Sequence, residues 1–126
     1  MPSAYAQFED AKYLSLETFR KSGVGVKTPV WFAQKPGQLL YYVYSEADSG
    51  KVKRIRNNSK VRIAPCSVRG QVRGEWVEAW ARICSGDEVE VGQQLLRSKY
   101  GWQKKVGDFF SRLLGHKQAV FVIEIG

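Results

Sequence analysis

Apolar and polar side chains alternate along Tyr13-Leu14-Ser15-Leu16-Glu17-Thr18-Phe19, the period of a half-buried strand, which is predicted over Lys12 to Phe19. Gly23 then marks a turn. In the next strand Val24, Val26, Thr28, Val30 and Phe32 share one face, with Lys27, Pro29 and Trp31 on the other. Pro29 has no N–H for a ladder, so this strand is expected at a sheet edge or bulged there, with backbone free for a ligand. Lys35-Pro36-Gly37-Gln38 reads as a hairpin turn, and Leu39 to Ser45 as a third, tyrosine-rich strand.

The period then changes. Asp48-Ser49-Gly50 offers capping side chains, and Val52 and Ile55 lie three apart on one face of a short helix, Lys51 to Asn57. Two strands are predicted at Val61 to Val72 and Glu75 to Cys84, around the turn residues Arg69-Gly70 and Arg73-Gly74. Asp87 to Tyr100 has helical spacing at Val91, Leu95, Leu96 and Tyr100, with acids in its first turn, where the helix dipole favours them. Val106, Phe109, Phe110, Leu113 and Leu114 predict a second amphipathic helix, closed by Gly115. Gln118 to Ile125 alternates again as the last strand. Six strands in hairpin order with helices inserted late predict a mainly β fold, a small antiparallel barrel, with residues 1–126 as one domain.

Charge adds what the pattern does not show. Between Ser49 and Gly74 stand Lys51, Lys53, Arg54, Arg56, Lys60, Arg62, Arg69 and Arg73, and no acid. The rest of the chain sums to zero, so the whole formal charge of +8 lies in this segment. Nucleic acid, an acidic membrane surface and a phosphate-bearing cofactor are the anions such a segment suits, and a solvated basic face is the plain alternative. Cys66 and Cys84 form no CxxC and have no histidine nearby, which indicates neither a metal site nor a disulfide framework. His116 is the one histidine, which excludes multi-histidine metal centres and weakens a Ser–His–Asp triad; it reads as a surface or cap residue. With no signal-like N-terminus and no apolar run near the roughly 20 residues of a membrane span, a cytoplasmic protein with reduced thiols is expected.

The helix start at Asp48-Ser49-Gly50-Lys51 is the strongest local chemistry. Free N–H groups and the dipole favour a phosphate there, Ser49 adds a donor, Gly50 permits close approach, and Lys51 supplies charge. An ordinary N-cap with a solvated lysine has the same residues. GxxxxGK[ST] is absent, so this is not a P-loop.

Thr28-Pro29-Val30-Trp31-Phe32, Tyr41-Tyr42-Val43-Tyr44-Ser45 and Ser49-Gly50-Lys51 followed by Asn57-Asn58 resemble the pyridoxamine-phosphate-oxidase-like, split-barrel flavin-binding family. Val61-Arg62-Ile63-Ala64-Pro65-Cys66 and Gly74-Glu75-Trp76-Val77-Glu78 look most like its small flavin- or deazaflavin-dependent oxidoreductase branch. The resemblance runs from about Phe8 to Ile125. It implies a six-stranded antiparallel split β-barrel of FMN-binding type, a homodimer with cofactor grooves at the interface. Ser49 and Lys51, with Gly50 and Lys53 in the same turn, match the family's phosphate-binding Ser-x-Lys. Tyr44 and Ser45 match the strand-end pair that reaches the phosphate and ribityl chain. Thr28, Pro29, Val30 and Trp31 match the strand along the ring, and Glu75 or Trp76 a contact from a later strand. True pyridoxamine-phosphate oxidases continue past the last strand into a segment whose Arg and His contact the vitamer phosphate. The sequence here stops at Gly126 with its histidine at 116, so vitamin B6 oxidation is not expected.

No side chain stands out as acid, base or nucleophile, which suits chemistry carried by a cofactor ring. The first reading is an oxidoreductase using FMN or a deazaflavin (coenzyme F-420) on a small organic substrate. A deazaflavin's acidic tail would suit the longer basic track. A non-catalytic flavin carrier of the same fold is the second reading. The third is a nucleic-acid-binding barrel with bases stacked on Trp31, Tyr42, Tyr44 and Trp76, although no RNP-like motif supports it.

Overall fold

In the computed structural model the described residues are 6–9, 11–35, 37–46, 49–100 and 118–125. Alternation sets the strands: β1 Tyr13–Phe19, β2 Gly25–Trp31, β3 Ala33–Gln34, β4 Leu40–Glu46, β5 Lys60–Cys66, β6 Val77–Ile83 and β7 Gln118–Glu124, with helices α1 Gly50–Asn57 and α2 Asp87–Tyr100. They form one antiparallel sheet in the order β2-β1-β5-β6-β7-β4-β3, curled so that β2 approaches β4 across an open seam. This is the split barrel expected, with a seventh, two-residue strand added at Ala33–Gln34. Phe32, buried between β2 and β3, interrupts the run and lets Ala33 and Gln34 pair with Tyr42 and Tyr41 instead.

Register puts two cores on opposite faces of the sheet. Leu14, Leu16, Val30, Tyr41, Val43, Val61, Ile63, Ala79, Ala81, Phe121 and Ile123 turn inward, joined by Val52 and Ile55 of α1. Phe8, from a 3-10 turn at Ala6–Phe8, completes it by packing against the rings of Phe32 and Tyr41 at 6.2 and 5.4 Å. Each fully buried side chain of this kind contributes about 1.5–3 kcal/mol, so this interior dominates the fold. Outside, α2 lies on β3, β4 and β7 and buries Ala33, Tyr42, Tyr44, Val120, Val122 and Leu96.

Most boundaries lie within a residue or two of the sequence pattern, and the largest departure follows β5. The strand predicted over Val61 to Val72 ends at Cys66, and its partner starts at Val77 rather than Glu75. Pro65 pairs with Leu14 on one side, but β6 pairs with β5 only as far as Ile63. Beyond Cys66 the chain folds into a tight loop: Gly70 N–H donates to Ser67 O, and Gly70 takes a φ of 86°. The tyrosine strand starts one residue late, at Leu40. Pro36, Asp48, the helix predicted around Val106 to Leu114 and His116 lie outside the described residues. No helix among the described residues is long and apolar enough to cross a membrane.

Candidate functional site

The geometry concentrates at the start of α1. Ser49 is its N-cap, with extended backbone and a side chain accepting from Val52 N–H at 3.4 Å. One turn of chain earlier, Ser45 faces inward from the end of β4, buried, with its hydroxyl 3.1 Å from that of Ser49. Alternation explains the inward direction: Ser45 pairs with Ala119 on the same face as Tyr41 and Val43.

Arg54 completes the cluster, and no sequence motif singles it out. Its Nε donates to Thr18 Oγ1 at 2.6 Å, a fully buried hydroxyl on β1. The guanidinium folds back over the helix start, so a β-carbon on Gly50 would stand 2.7 Å from Nη1. Burial, and then the neighbouring Arg20, push its pKa down, and no carboxylate among the described residues pairs with it. A half-buried cation, two hydroxyls and the amide end of a helix thus converge on one point. That donor set suits an anion.

The other residues singled out by sequence fall around this point or away from it. Gly50, Lys51 and Lys53 occupy the first turn of α1. Thr28 and Val30 lie on the inward face of β2, while Pro29 and Trp31 point outward. β2 is an end strand whose one neighbour is β1, as Pro29 requires. Trp31 lies with its ring 6.3 Å from that of Tyr13. Tyr44 precedes Ser45, so its ring takes the opposite face, under α2, where Gln93 Nε2 lies 3.5 Å from its hydroxyl and burial raises its pKa.

Trp76 and Glu75 are on the outward side, not the face of Ser45. The Trp76 ring lies between Lys27 Nζ, 5.2 Å from its centroid, and the Arg62 guanidinium at 5.1 Å. Glu75 is exposed, and its backbone N–H and C=O both bond the Gln7 amide at 2.9 Å. The basic track is also shorter than the sequence suggests: Arg62 pairs with Glu17 at 3.1 Å and Lys60 with Glu78 at 3.4 Å. Tyr42 and Tyr44 are buried, so neither offers a face to a base.

No family model and no curated protein sequence matches the chain. Solved structures do. A Listeria innocua protein assigned as a pyridoxamine 5′-phosphate oxidase superposes with a TM-score of 0.64 at 13% identity, over 94% of this chain and 86% of that one. HutZ, the heme storage protein of Vibrio cholerae, gives 0.67 at 17%, over 94% and 84%. An F-420-H2 dependent reductase gives 0.62 at 16%, over 90% and 94%. A longer Agrobacterium tumefaciens protein of unknown function gives 0.75 at 12%; this chain is covered over 98% but spans 52% of that protein. The chain has the split-barrel fold of the pyridoxamine-phosphate-oxidase-like proteins.

Proposed function

We propose that the chain binds FMN or a deazaflavin, with the cofactor phosphate at the start of α1, and acts as an oxidoreductase on a small organic molecule. The observation that carries this reading is the meeting of Ser45, Ser49, Gly50 and Arg54 at one helix end. The fit rests on donor chemistry: among the described residues no carboxylate pairs with Arg54, and its guanidinium lies against a glycine that leaves it room. Ser45 and Ser49 would hold phosphate oxygens, Lys51 and Arg54 would balance their charge, and the open edge of β2 from Thr28 to Trp31 would pair with the ring. A bound flavin supplies the hydride-transfer chemistry, while this chain binds, orients and excludes water. Lys60 and Arg62 are engaged with carboxylates, which leaves Lys53 and Arg56 as the exposed cations on α1 for a deazaflavin tail. The active unit we propose is a homodimer.

Titration of the purified protein with FMN, coenzyme F-420 and hemin, followed by visible absorbance, tests the reading. One of the two flavins should bind. Lys51→Ala and Arg54→Gln should each weaken it about ten- to a hundredfold, the loss of about 1.5–3 kcal/mol for a charge-assisted contact. Hemin binding without flavin binding, or flavin affinity indifferent to both substitutions, overturns the site. Salt separates nucleic acid: six or more backbone phosphate contacts would lose about 10³–10⁵ in affinity between about 50 and 200 mM salt. A single phosphate should weaken only several-fold.

A further inference from the structure

A second concavity lies at the other end of β1, away from α1. It measures about 640 Å³, and Lys12, Tyr13, Pro65, Cys66, Val68 and Arg73 line it. Its walls are built rather than incidental. Cys66 and Val72 bridge the loop, Ser67 Oγ accepts from Gln71 N–H at 3.1 Å, and Arg73 N–H donates to Pro65 O at 2.8 Å. Gln7, on the opposite rim, is fixed by its two bonds to the Glu75 backbone. Tyr13 stands between Cys66 and Trp31 in register, so an aromatic wall faces the buried thiol. Among the described lining residues there is no carboxylate. The Arg73 side chain pairs with no acid among the described residues, and its charge is felt at the Cys66 thiol.

We infer that this groove binds a flat organic anion of one or two rings. Tyr13, Pro65 and Val68 would cover its apolar faces, and Arg73, with Lys12, would hold its acid group. The volume falls within the roughly 300–1,000 Å³ of small-molecule sites, and a guanidinium matches a carboxylate through paired N–H donors. None of these residues belongs to the α1 cluster, so the inference stands whether or not a flavin binds there. Calorimetric titration of the full-length protein with 2-naphthoate, and with the neutral 2-naphthylmethanol of similar shape, tests it. Saturable naphthoate binding should weaken about tenfold or more in Arg73→Gln and stay within about twofold in Arg54→Gln, while the alcohol should not respond to Arg73→Gln. Val68→Glu, which sets a negative charge on an exposed wall position, should abolish naphthoate binding and serves if Arg73→Gln disturbs the loop. No saturable binding at about millimolar ligand overturns the proposal. So does naphthoate binding unmoved by both groove variants, or lost in Arg54→Gln alone.

Discussion

Arg54 stands out at the start of α1 because the fold half-buries its charge and no carboxylate among the described residues pairs with it. The contact with Thr18 spans 36 residues, so no local motif could have announced it, whereas Ser49 and Lys51 were legible as a capped, basic helix start. The opposite faces taken by Tyr44 and Ser45 follow from period-two alternation, and only the covering helix decides that the tyrosine goes under protein rather than into a site. Gly50 tests this arrangement directly. Gly50→Val should displace the Arg54 guanidinium and weaken the cofactor about as much as Arg54→Gln, with the fold intact by circular dichroism. Unaltered affinity would mean that Arg54 takes no part in anion binding. The two thiols allow a test of burial independent of any ligand. Burial, and secondarily Glu88, push Cys84 up to about 11, and burial raises Cys66 as well. A raised thiol pKa leaves little thiolate near pH 8, so Cys84, which lines no groove described above, should not react with an aromatic disulfide reagent until the chain is unfolded. Rapid labelling of native Cys84 would contradict this.

At the scale of elements, periodicity located β1, β4, β7, α1 and α2 to within a residue or two, because each buries one regular face. It overran β5 because Val68 and Val72 continue the alternation while lying exposed in the loop. It also gave no reason for Gly92 inside α2. The register of helix on sheet supplies one: a β-carbon there would stand 2.6 Å from Val120 Cγ1 and 2.9 Å from Tyr42 Cδ1. Gly92→Ala would gain about 0.5–1 kcal/mol of helix propensity, but overpacking two buried partners costs about 1–3 kcal/mol. The mutant should therefore melt at a lower temperature than the parent; a higher melting point would show that α2 can move away. The last turn of α2 is tied down by Lys99, whose stem is exposed while Nζ donates to Ala11 O and Phe32 O, each at 2.9 Å, and lies 3.6 Å from the Phe32 ring centroid. Burial lowers its pKa from 10.5 to about 8, so the folded chain holds fewer protons than the unfolded one between these values. Stability conferred by this group should rise with pH across that window, and be flat below it. Lys99→Met should lose on the order of 1 kcal/mol at neutral pH from its two hydrogen bonds. The gap to the parent should widen above pH 8; a gap that narrows there would refute the assigned direction.

For the whole molecule, the sheet is dressed unevenly. Its inner face is filled, and α2 packs on the outer face mainly over β3, β4 and β7. On β6 the outward Trp80 remains 47% exposed, and the loop after β5 carries Val68 and Val72 at 59% and 41%. One end of the sheet stops at β2, a seven-residue edge with a single proline to discourage pairing. Long open edges and wet aromatic faces are surfaces that proteins usually cover. A second copy of this chain is the partner that we propose, and it would also enclose a ring lying along β2. A stable interface needs about 1,200–2,000 Å² of buried surface, enough to take in a face of this kind. Light scattering should therefore give about twice the chain mass of 14.3 kDa at micromolar concentration. Trp80→Lys should move the species toward monomer while preserving the strand signal, since that side chain contributes little to either core. A parent chain that stays monomeric at tens of micromolar, with or without FMN, would remove the shared-interface site and leave the α1 cluster to bind its anion within one subunit.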